Sequence, residues 1–304
     1  MSAPALRLEA AGLSVELGRR PWLMGIVNAS PDSFSDGGMR RGLEDQLALA
    51  AELLAAGADV LDVGGESAST GSPPVEVTEE LERVVPLIER ITRELGAVVS
   101  VDTYKPAVAA AALAAGASIV NDVSGLRDPE LAALCARTGA GLVLMHTRAR
   151  PRERLQDPGL YGDVTAEVLE FLRARIELAL AAGCRPEQLI LDPGPDFAKT
   201  PAQTIELLSH LGRLQEFGRP LLMAISRKDF IGALTQRAPR ERLAGTLAAL
   251  AHGLEQGAHI FRVHDVAAAA DFIAVRAALR GESEPARELA LREDIRYEPQ
   301  RALG

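Results

Sequence analysis

Cysteine is nearly missing from this chain. Only Cys135 and Cys184 occur in 304 residues, which excludes a disulfide framework and a thiolate metal site. Both read as small buried hydrophobes in a reducing compartment. Aromatic residues make up 4%, too few for a platform that stacks nucleobases. Positive charge is in deficit, with 33 Lys+Arg against 42 Asp+Glu, and a net charge of −9 excludes the basic face of a dedicated polynucleotide binder. There is no uncharged apolar run of about 18 residues, so no membrane span is expected. Residues 1–20 have neither a basic start nor a continuous apolar block, unlike a secretory leader, and the expected location is the cytoplasm. What is present is a hydrophobic fraction of 47%, too high for a disordered chain. The length suits one large domain or two ordinary ones.

A phrase recurs along the chain: a helical stretch, a small-residue turn, then a short β-rich apolar run. It reads LLAAGADVLDVGG at 53–65, LAAGASIVNDVSG at 113–125, CARTGAGLVLMH at 135–146 and LEQGAHIFRVHD at 254–265, with a longer variant at 178–194. The glycine suits the left-handed position that ends a helix, and the apolar run suits a strand buried on both faces. Eight strands are predicted: Trp22–Val27, Val60–Val63, Val98–Asp102, Ile119–Asp122, Gly141–His146, Leu189–Asp192, Pro220–Ile225 and Ile260–His264. Helices are predicted at 44–56, 79–95, 106–115, 129–138, 163–182, 202–216, 240–256 and 266–280. Alternation of this kind means parallel strands, and eight units match an α/β (β/α)8 TIM barrel with a short N-terminal β-hairpin. The rival, an open doubly wound sheet, lacks its G-x-G-x-x-G turn after the first strand. No linker interrupts the chain. Residues 1–304 therefore read as one domain: a hairpin within 1–20 closing the barrel bottom, a barrel over about 20–280 and a C-terminal extension at 281–304.

A barrel of this kind carries its site at the C-terminal ends of the strands. Those ends hold Asn28, Asp62, Asp102, Asn121-Asp122, His146, Asp192, Ser226-Arg227-Lys228, and Arg262 with His264. One polar strand end is ordinary, because strand ends meet solvent. Eight together point to a site, because charged groups are seldom buried unpaired. Arg262 and His264 are two apart and point the same way, toward the barrel axis or mouth, where they join Lys228 and Ser226 as a cationic corner suited to phosphate. Across the mouth, Asp102, Asn121 and Asp192 supply acceptors and an amide suited to a heterocycle with several N–H donors. The expected ligand is a nitrogen heterocycle bearing phosphate. His146 reads as structural rather than as a metal ligand, as do His210, His252 and His259. Asp32 reads as a turn former, and Lys199 as a residue that sets its loop.

These residues sit in strings that resemble the dihydropteroate synthase family: MGIVNASPDSFSDGG at 24–38, DVLDVGGES at 59–67, SVDTYKP at 100–106, IVNDVSG at 119–125, LILDPGPDFAKT at 189–200, ISRKDFIG at 225–232 and FRVHDV at 261–266. The resemblance runs from about residue 5 to residue 280. It implies a pterin-binding (β/α)8 transferase that condenses 6-hydroxymethyl-7,8-dihydropterin pyrophosphate with p-aminobenzoate, releasing pyrophosphate in folate biosynthesis, and that is a target of sulfonamides. It implies a pterin pocket of Asp102, Asn121, Met145, Asp192, Phe197 and Lys228. The pyrophosphate falls to Asn28, Arg262 and His264, with Mg2+ near Asn28. The resemblance further implies that Asp36 is the carboxylate that stabilises the pterin cation, and that Asp36, Lys228, Arg262 and His264 form the catalytic set. The p-aminobenzoate side falls to Phe34, Ala68, Ser69 and Ser226. A homodimer is implied, and the Ala-rich helices 240–256 and 266–280 would suit its interface.

The match has departures. Where the family usually reads E-S-T-R-P-G, this chain reads Glu66-Ser67-Ala68-Ser69-Thr70-Gly71, and the arginine is gone. Asp196 and Ala224 stand where glycine is usual. After the fifth strand comes Met145-His146-Thr147-Arg148-Ala149-Arg150, and the basic run Arg148–Arg154 reads as a solvated surface run, with replacement of the lost arginine as the other reading. The departures gather on the p-aminobenzoate side. Two other functions therefore stand beside the synthase: a diverged paralogue that binds a pterin or its pyrophosphate but uses another acceptor or does not catalyse, and a non-catalytic scaffold. The intact Asn28, Lys228, Arg262 and His264 weigh against the scaffold.

Overall fold

A computed structural model describes residues 5–29, 42–66, 74–284 and 286–296. The chain opens with the expected hairpin. Strand β1, Leu6–Ala10, pairs antiparallel with β2, Leu13–Leu17. Alternation decides its orientation: Leu8, Ala10 and Leu17 are buried, while Arg7, Ser14 and Glu16 face solvent.

Eight parallel strands follow, with helices between them. They are β3 Trp22–Asn28, α1 Leu43–Ala55, β4 Val60–Gly64, α2 Val77–Arg90, β5 Val98–Asp102, α3 Pro106–Ala114, β6 Ile119–Asp122, α4 Glu130–Thr138, β7 Gly141–Met145, α5 Val164–Ala181, β8 Leu189–Asp192, α6 Pro201–Ser209, β9 Leu222–Met223, α7 Asp229–Thr235, α8 Leu243–Glu255, β10 Ile260–Val263 and α9 Val266–Leu279. Neighbours run β8-β7-β6-β5-β4-β3-β10-β9. A parallel bridge between Leu191 and Leu221 joins the two edges, and the Leu191 N–H donates to the Pro220 carbonyl at 2.9 Å. The (β/α)8 barrel and its hairpin are thus as the residue pattern predicts. The glycines of the recurring phrase, at 57, 116, 139, 183 and 257, all take positive φ, between 73° and 108°.

Two apolar cores result. One lies between strands and helices. The other fills the lower barrel: Met24, Val60, Ile119, Val143, Ile190, Leu222 and Ile260 pack on Leu8, Ala10 and Leu17 of the hairpin. The hairpin therefore closes the barrel floor, with the Ala11 N–H donating to the Gly139 carbonyl at 2.7 Å. Moving two residues up each strand turns this inner layer polar, from Val60 to Asp62, Ile119 to Asn121, Ile190 to Asp192 and Ile260 to Arg262.

Several predicted boundaries shift. The helix expected at 79–95 starts at Val77 and becomes a π turn at Ile91–Leu95, where Thr92 donates its hydroxyl to the Ile88 carbonyl. The helix expected at 202–216 splits: Thr200 and Gln203 form a capping box for α6, and the chain tightens to a 3-10 helix at Leu211–Phe217. The strand expected at 220–225 keeps regular pairing only at Leu222–Met223, and the short helix α7 after it was not anticipated.

Candidate active site

Strand register sets the site's levels. Asn28 pairs with Gly64, Gly64 with Asp102, and Asp102 with Asn121, while Met145 pairs with Asp192. These positions form the upper rim of the barrel. Asn121, Met145 and Asp192 are buried there. Above them opens a cavity of about 400 Å³ whose lining includes Asp102, Phe197, Lys228, Glu66 and Arg152.

Arg262 occupies the centre. Its Nε donates to Asp62 Oδ2 at 2.6 Å and its Nη2 to Asp102 Oδ2 at 2.8 Å. Asn121 Nδ2 donates to the same Asp62 oxygen at 3.0 Å, and Asp62 Oδ1 is buried with no partner among the described residues. Burial opposes the Arg262 charge, but the two carboxylates outweigh it and raise its pKa. Burial likewise raises the Asp102 carboxyl, with Arg262 opposing and Asp62 adding to the rise. Arg262 thus reaches across the barrel to the carboxylate side, instead of sitting apart from it in a purely cationic corner. Asp62, seen in the sequence only as a strand-end residue, is an integral part of this cluster.

Lys228 lies 4.3 Å from the centre of the Phe197 ring. Burial lowers its pKa, while Asp196 and Asp192 raise it. Burial pushes the Asp192 carboxyl up to about 6, against the pull of the Gly194 N–H, Lys228, Lys199 and Arg262. His264 faces Ser226, with its Nδ1 3.0 Å from the serine Oγ, and its own backbone N–H donates to that oxygen at 3.2 Å. Burial, Arg227 and Arg262 lower His264 to about 4, so the imidazole is neutral at pH 7. The corner is therefore less cationic than its residue types suggest. Arg227 is also committed, to Asp265 at 2.9 and 3.2 Å.

The loop after β8 is held from below. Lys199 is fully buried and donates to the carbonyls of Gly194 at 2.8 Å and Phe197 at 3.1 Å, and its Nζ is 2.8 Å from His146 Nδ1. Three acceptors match the three donors of an ammonium. Burial lowers the Lys199 pKa to about 7 and that of His146 to about 2. His146 also meets Phe171 edge-on at 4.8 Å, so it is structural, as its residue type suggested. Gly194 is obligatory: φ is +65°, and a Cβ would lie 2.1 Å from the His146 carbonyl oxygen.

Asp196 has φ +64°, the left-handed region, which explains why glycine is usual there. Its side chain adds something glycine could not. Oδ2 accepts from the Asp229 N–H at 2.6 Å and Oδ1 accepts from the Thr204 hydroxyl at 3.1 Å, so Asp196 caps α7 and ties it to α6. The Arg148–Arg154 run is not a uniformly solvated one, contrary to the reading of its charges alone. Arg148 stacks 5.2 Å from the Tyr161 ring centre and pairs with Glu167 at 3.2 Å, and Arg152 turns inward onto Glu66 at 2.6 Å. Periodicity could not find Arg152, because a loop has no repeat that separates inward from outward positions. Asp36, Phe34, Ala68, Ser69, Thr70 and Asp32 lie outside the described residues.

The site can be compared with known proteins at this point. A family model described as "Pterin binding enzyme" matches residues 24–264. A curated dihydropteroate synthase of Synechocystis is 44% identical over 264 residues, covering 86% of this chain and 91% of the relative. The chain belongs to the dihydropteroate synthase family. Solved structures agree with that membership. Dihydropteroate synthase of Xanthomonas albilineans with 4-aminobenzoic acid superposes with a TM-score of 0.83 at 45% identity, covering 91% of this chain and 99% of the other. That of Yersinia pestis with a sulfonamide drug superposes at 0.85 with 39% identity, covering 91% and 100%. Family membership is therefore shown by matches that span Asn28, Asp102, Asn121, Asp192, Lys228 and Arg262 together.

Proposed function

We infer that this chain is a dihydropteroate synthase: it joins the methylene carbon of 6-hydroxymethyl-7,8-dihydropterin pyrophosphate to the amine of p-aminobenzoate, and pyrophosphate leaves. The carbon–oxygen bond breaks, the carbon–nitrogen bond forms, and the amine gives up a proton. The observation that carries this reading is the cluster of Asp62, Asn121, Asp192 and Arg262 beneath the cavity, joined to Asp102, Lys228 and Phe197 in its wall. Acceptor oxygens converge there on a space the size of a fused heterocycle.

In this reading Asp102, Asn121 and Asp192 bind and orient the pterin, Met145 and Phe197 form its apolar walls, and Lys228 supplies positive charge beside the ring. Arg262, locked by two carboxylates, fixes the Asp102 oxygen in place and presents charge toward the pyrophosphate, while the neutral His264 imidazole and the Asn28 amide offer it hydrogen-bonding groups. Asp36 supports the positive charge that develops on the methylene carbon as pyrophosphate departs. Ser226, together with Phe34, Ala68 and Ser69, is assigned to the p-aminobenzoate side. Among the described residues no group of three or more His, Cys, Asp or Glu could hold a metal. A single hard oxygen donor, the Asn28 amide, nevertheless fits Mg2+, which takes most of its shell from water and phosphate oxygens. Asn28 would hold that ion, and bound Mg2+ would neutralise charge on the leaving pyrophosphate. The homodimer and a cytoplasmic location belong to the same proposal; among the described residues no helix is long and apolar enough to cross a membrane.

Pyrophosphate release with dihydropterin pyrophosphate and p-aminobenzoate, with and without a sulfonamide, tests the reading. Release that depends on p-aminobenzoate and is suppressed by the sulfonamide is expected. Release that ignores p-aminobenzoate would point instead to another acceptor.

A further inference from the structure

Glu66 stands two residues beyond the end of strand β4, and three side chains from two other parts of the chain donate to it. Lys105 Nζ donates to Glu66 Oε2 at 2.7 Å, to the Val75 carbonyl at 2.7 Å and to the Glu80 carboxylate. The Tyr104 hydroxyl donates to Glu66 Oε2 at 3.1 Å. From the loop between β7 and α5, Arg152 Nη1 donates to Glu66 Oε1 at 2.6 Å. Side-chain exposure is 11% for Arg152, 7% for Glu66 and 1% for Glu80, although all three line the cavity.

Two features set Arg152 apart from Arg150 and Arg154, which line the same cavity but are exposed. Its backbone adopts φ +67°, a region that a residue with a Cβ enters only when its surroundings hold it there. Its charge is also sheltered, and a sheltered ion pair adds little stability of its own, because desolvation offsets the attraction. Burial would raise the Glu66 carboxyl, but Arg152, Lys105 and Tyr104 together hold it below the usual carboxylate range. The charges on this wall balance: Glu66 and Glu80 against Lys105 and Arg152. Without Arg152 the wall keeps one uncompensated negative charge, facing a cavity that has to admit an anionic amine.

We propose that Arg152 is a specificity-determining positioning residue for the acceptor: by neutralising Glu66 and pinning the β7–α5 loop across it, Arg152 makes this wall tolerate the carboxylate of p-aminobenzoate. The inference rests on the synthase reading above. Its test is a comparison of Arg152→Met, Arg152→Lys, Glu66→Gln and the double variant Arg152→Met/Glu66→Gln, by steady-state kinetics and by calorimetric binding of p-aminobenzoate in the presence of a pterin pyrophosphate analogue. Arg152→Met should raise the KM and Kd for p-aminobenzoate at least tenfold, with the KM for dihydropterin pyrophosphate and kcat within about twofold. Arg152→Lys keeps the charge and should stay within about threefold of the parent. The double variant removes the stranded carboxylate and should recover most of the loss. Glu66→Gln alone should cost less than Arg152→Met.

A double variant as impaired as Arg152→Met would overturn the charge argument, since a purely structural latch is lost in both. An equal rise in both KM values, or no rise, would overturn the proposal outright. A parent protein that binds p-aminobenzoate but releases no pyrophosphate counts against the activity, and the binding ratios then judge Arg152 alone. A parent that binds no p-aminobenzoate overturns both.

Discussion

Lys199 shows how much one side chain can organise. It satisfies two carbonyls and a histidine in a place closed to water, and those carbonyls belong to the loop that presents Phe197. Lys199→Met keeps the stem and removes the donors. Each stranded acceptor costs about 1–3 kcal/mol, so a loss of roughly 3 kcal/mol is expected in urea unfolding, together with weaker pterin binding. Asp192 gives a pH dependence whose sign follows from its raised pKa of about 6. The carboxylate form accepts from the ring N–H groups, so affinity is full above that value and is lost as pH falls through it. Calorimetry with an uncharged pterin should show Kd rising at least about tenfold between pH 7.5 and 5, the share that Asp192 alone supplies. Asp192→Asn should remove this step and leave the one that comes from Asp102, whose carboxyl burial pushes up to about 7. Most of these residues were legible in advance, because inward and outward positions alternate along a strand: Asp102, Asn121, Asp192 and Arg262 fall where the count places them. Their partners were not legible. Nothing in the sequence alone says that Arg262 spans from strand β10 to Asp62 and Asp102, since that reach depends on barrel radius and strand stagger.

The elements show the same division. Strands and long helices announce themselves by their apolar periodicity and the glycine that ends each helix. The short helix α7 does not, because seven residues, Asp229–Thr235, span too few turns for a pattern. Its start depends on a side chain 33 positions earlier, Asp196. Asp196→Ala should cost about 1–2 kcal/mol through the lost cap, while Asp196→Gly should cost about 1 kcal/mol less than alanine, because glycine accepts φ +64° without strain. Thermal denaturation of both variants checks the order: if alanine proves no worse than glycine, the backbone argument fails.

Across the whole molecule, a net charge of −9 says little about a ligand that meets local cations, and the fold explains why the two scales separate. Acidic residues spread over the outer helices, while Lys228 and Arg262 sit inside a rim that screens them from the surface. The outer face of α9 leaves Val275 and Leu279 61% and 84% exposed, which suits the proposed homodimer. Light scattering should give about twice the 32.2 kDa of the chain, and Val275→Glu with Leu279→Glu should reduce it to a single chain.

The hairpin has a kinetic consequence. With Leu8, Ala10 and Leu17 sealing the floor, the described residues leave the upper rim as the way in. Asn121 and Asp192, the deeper of the heterocycle's acceptors, lie beneath the cavity, and the proposed acceptor wall of Glu66 and Arg152 lies in its lining, above them. An amine that arrived first would stand in the path of the pterin. The substrates should therefore enter in a fixed sequence, pterin pyrophosphate before p-aminobenzoate, and product should leave by the way both came in. A dead-end analogue of the amine should then inhibit uncompetitively with respect to the pterin substrate.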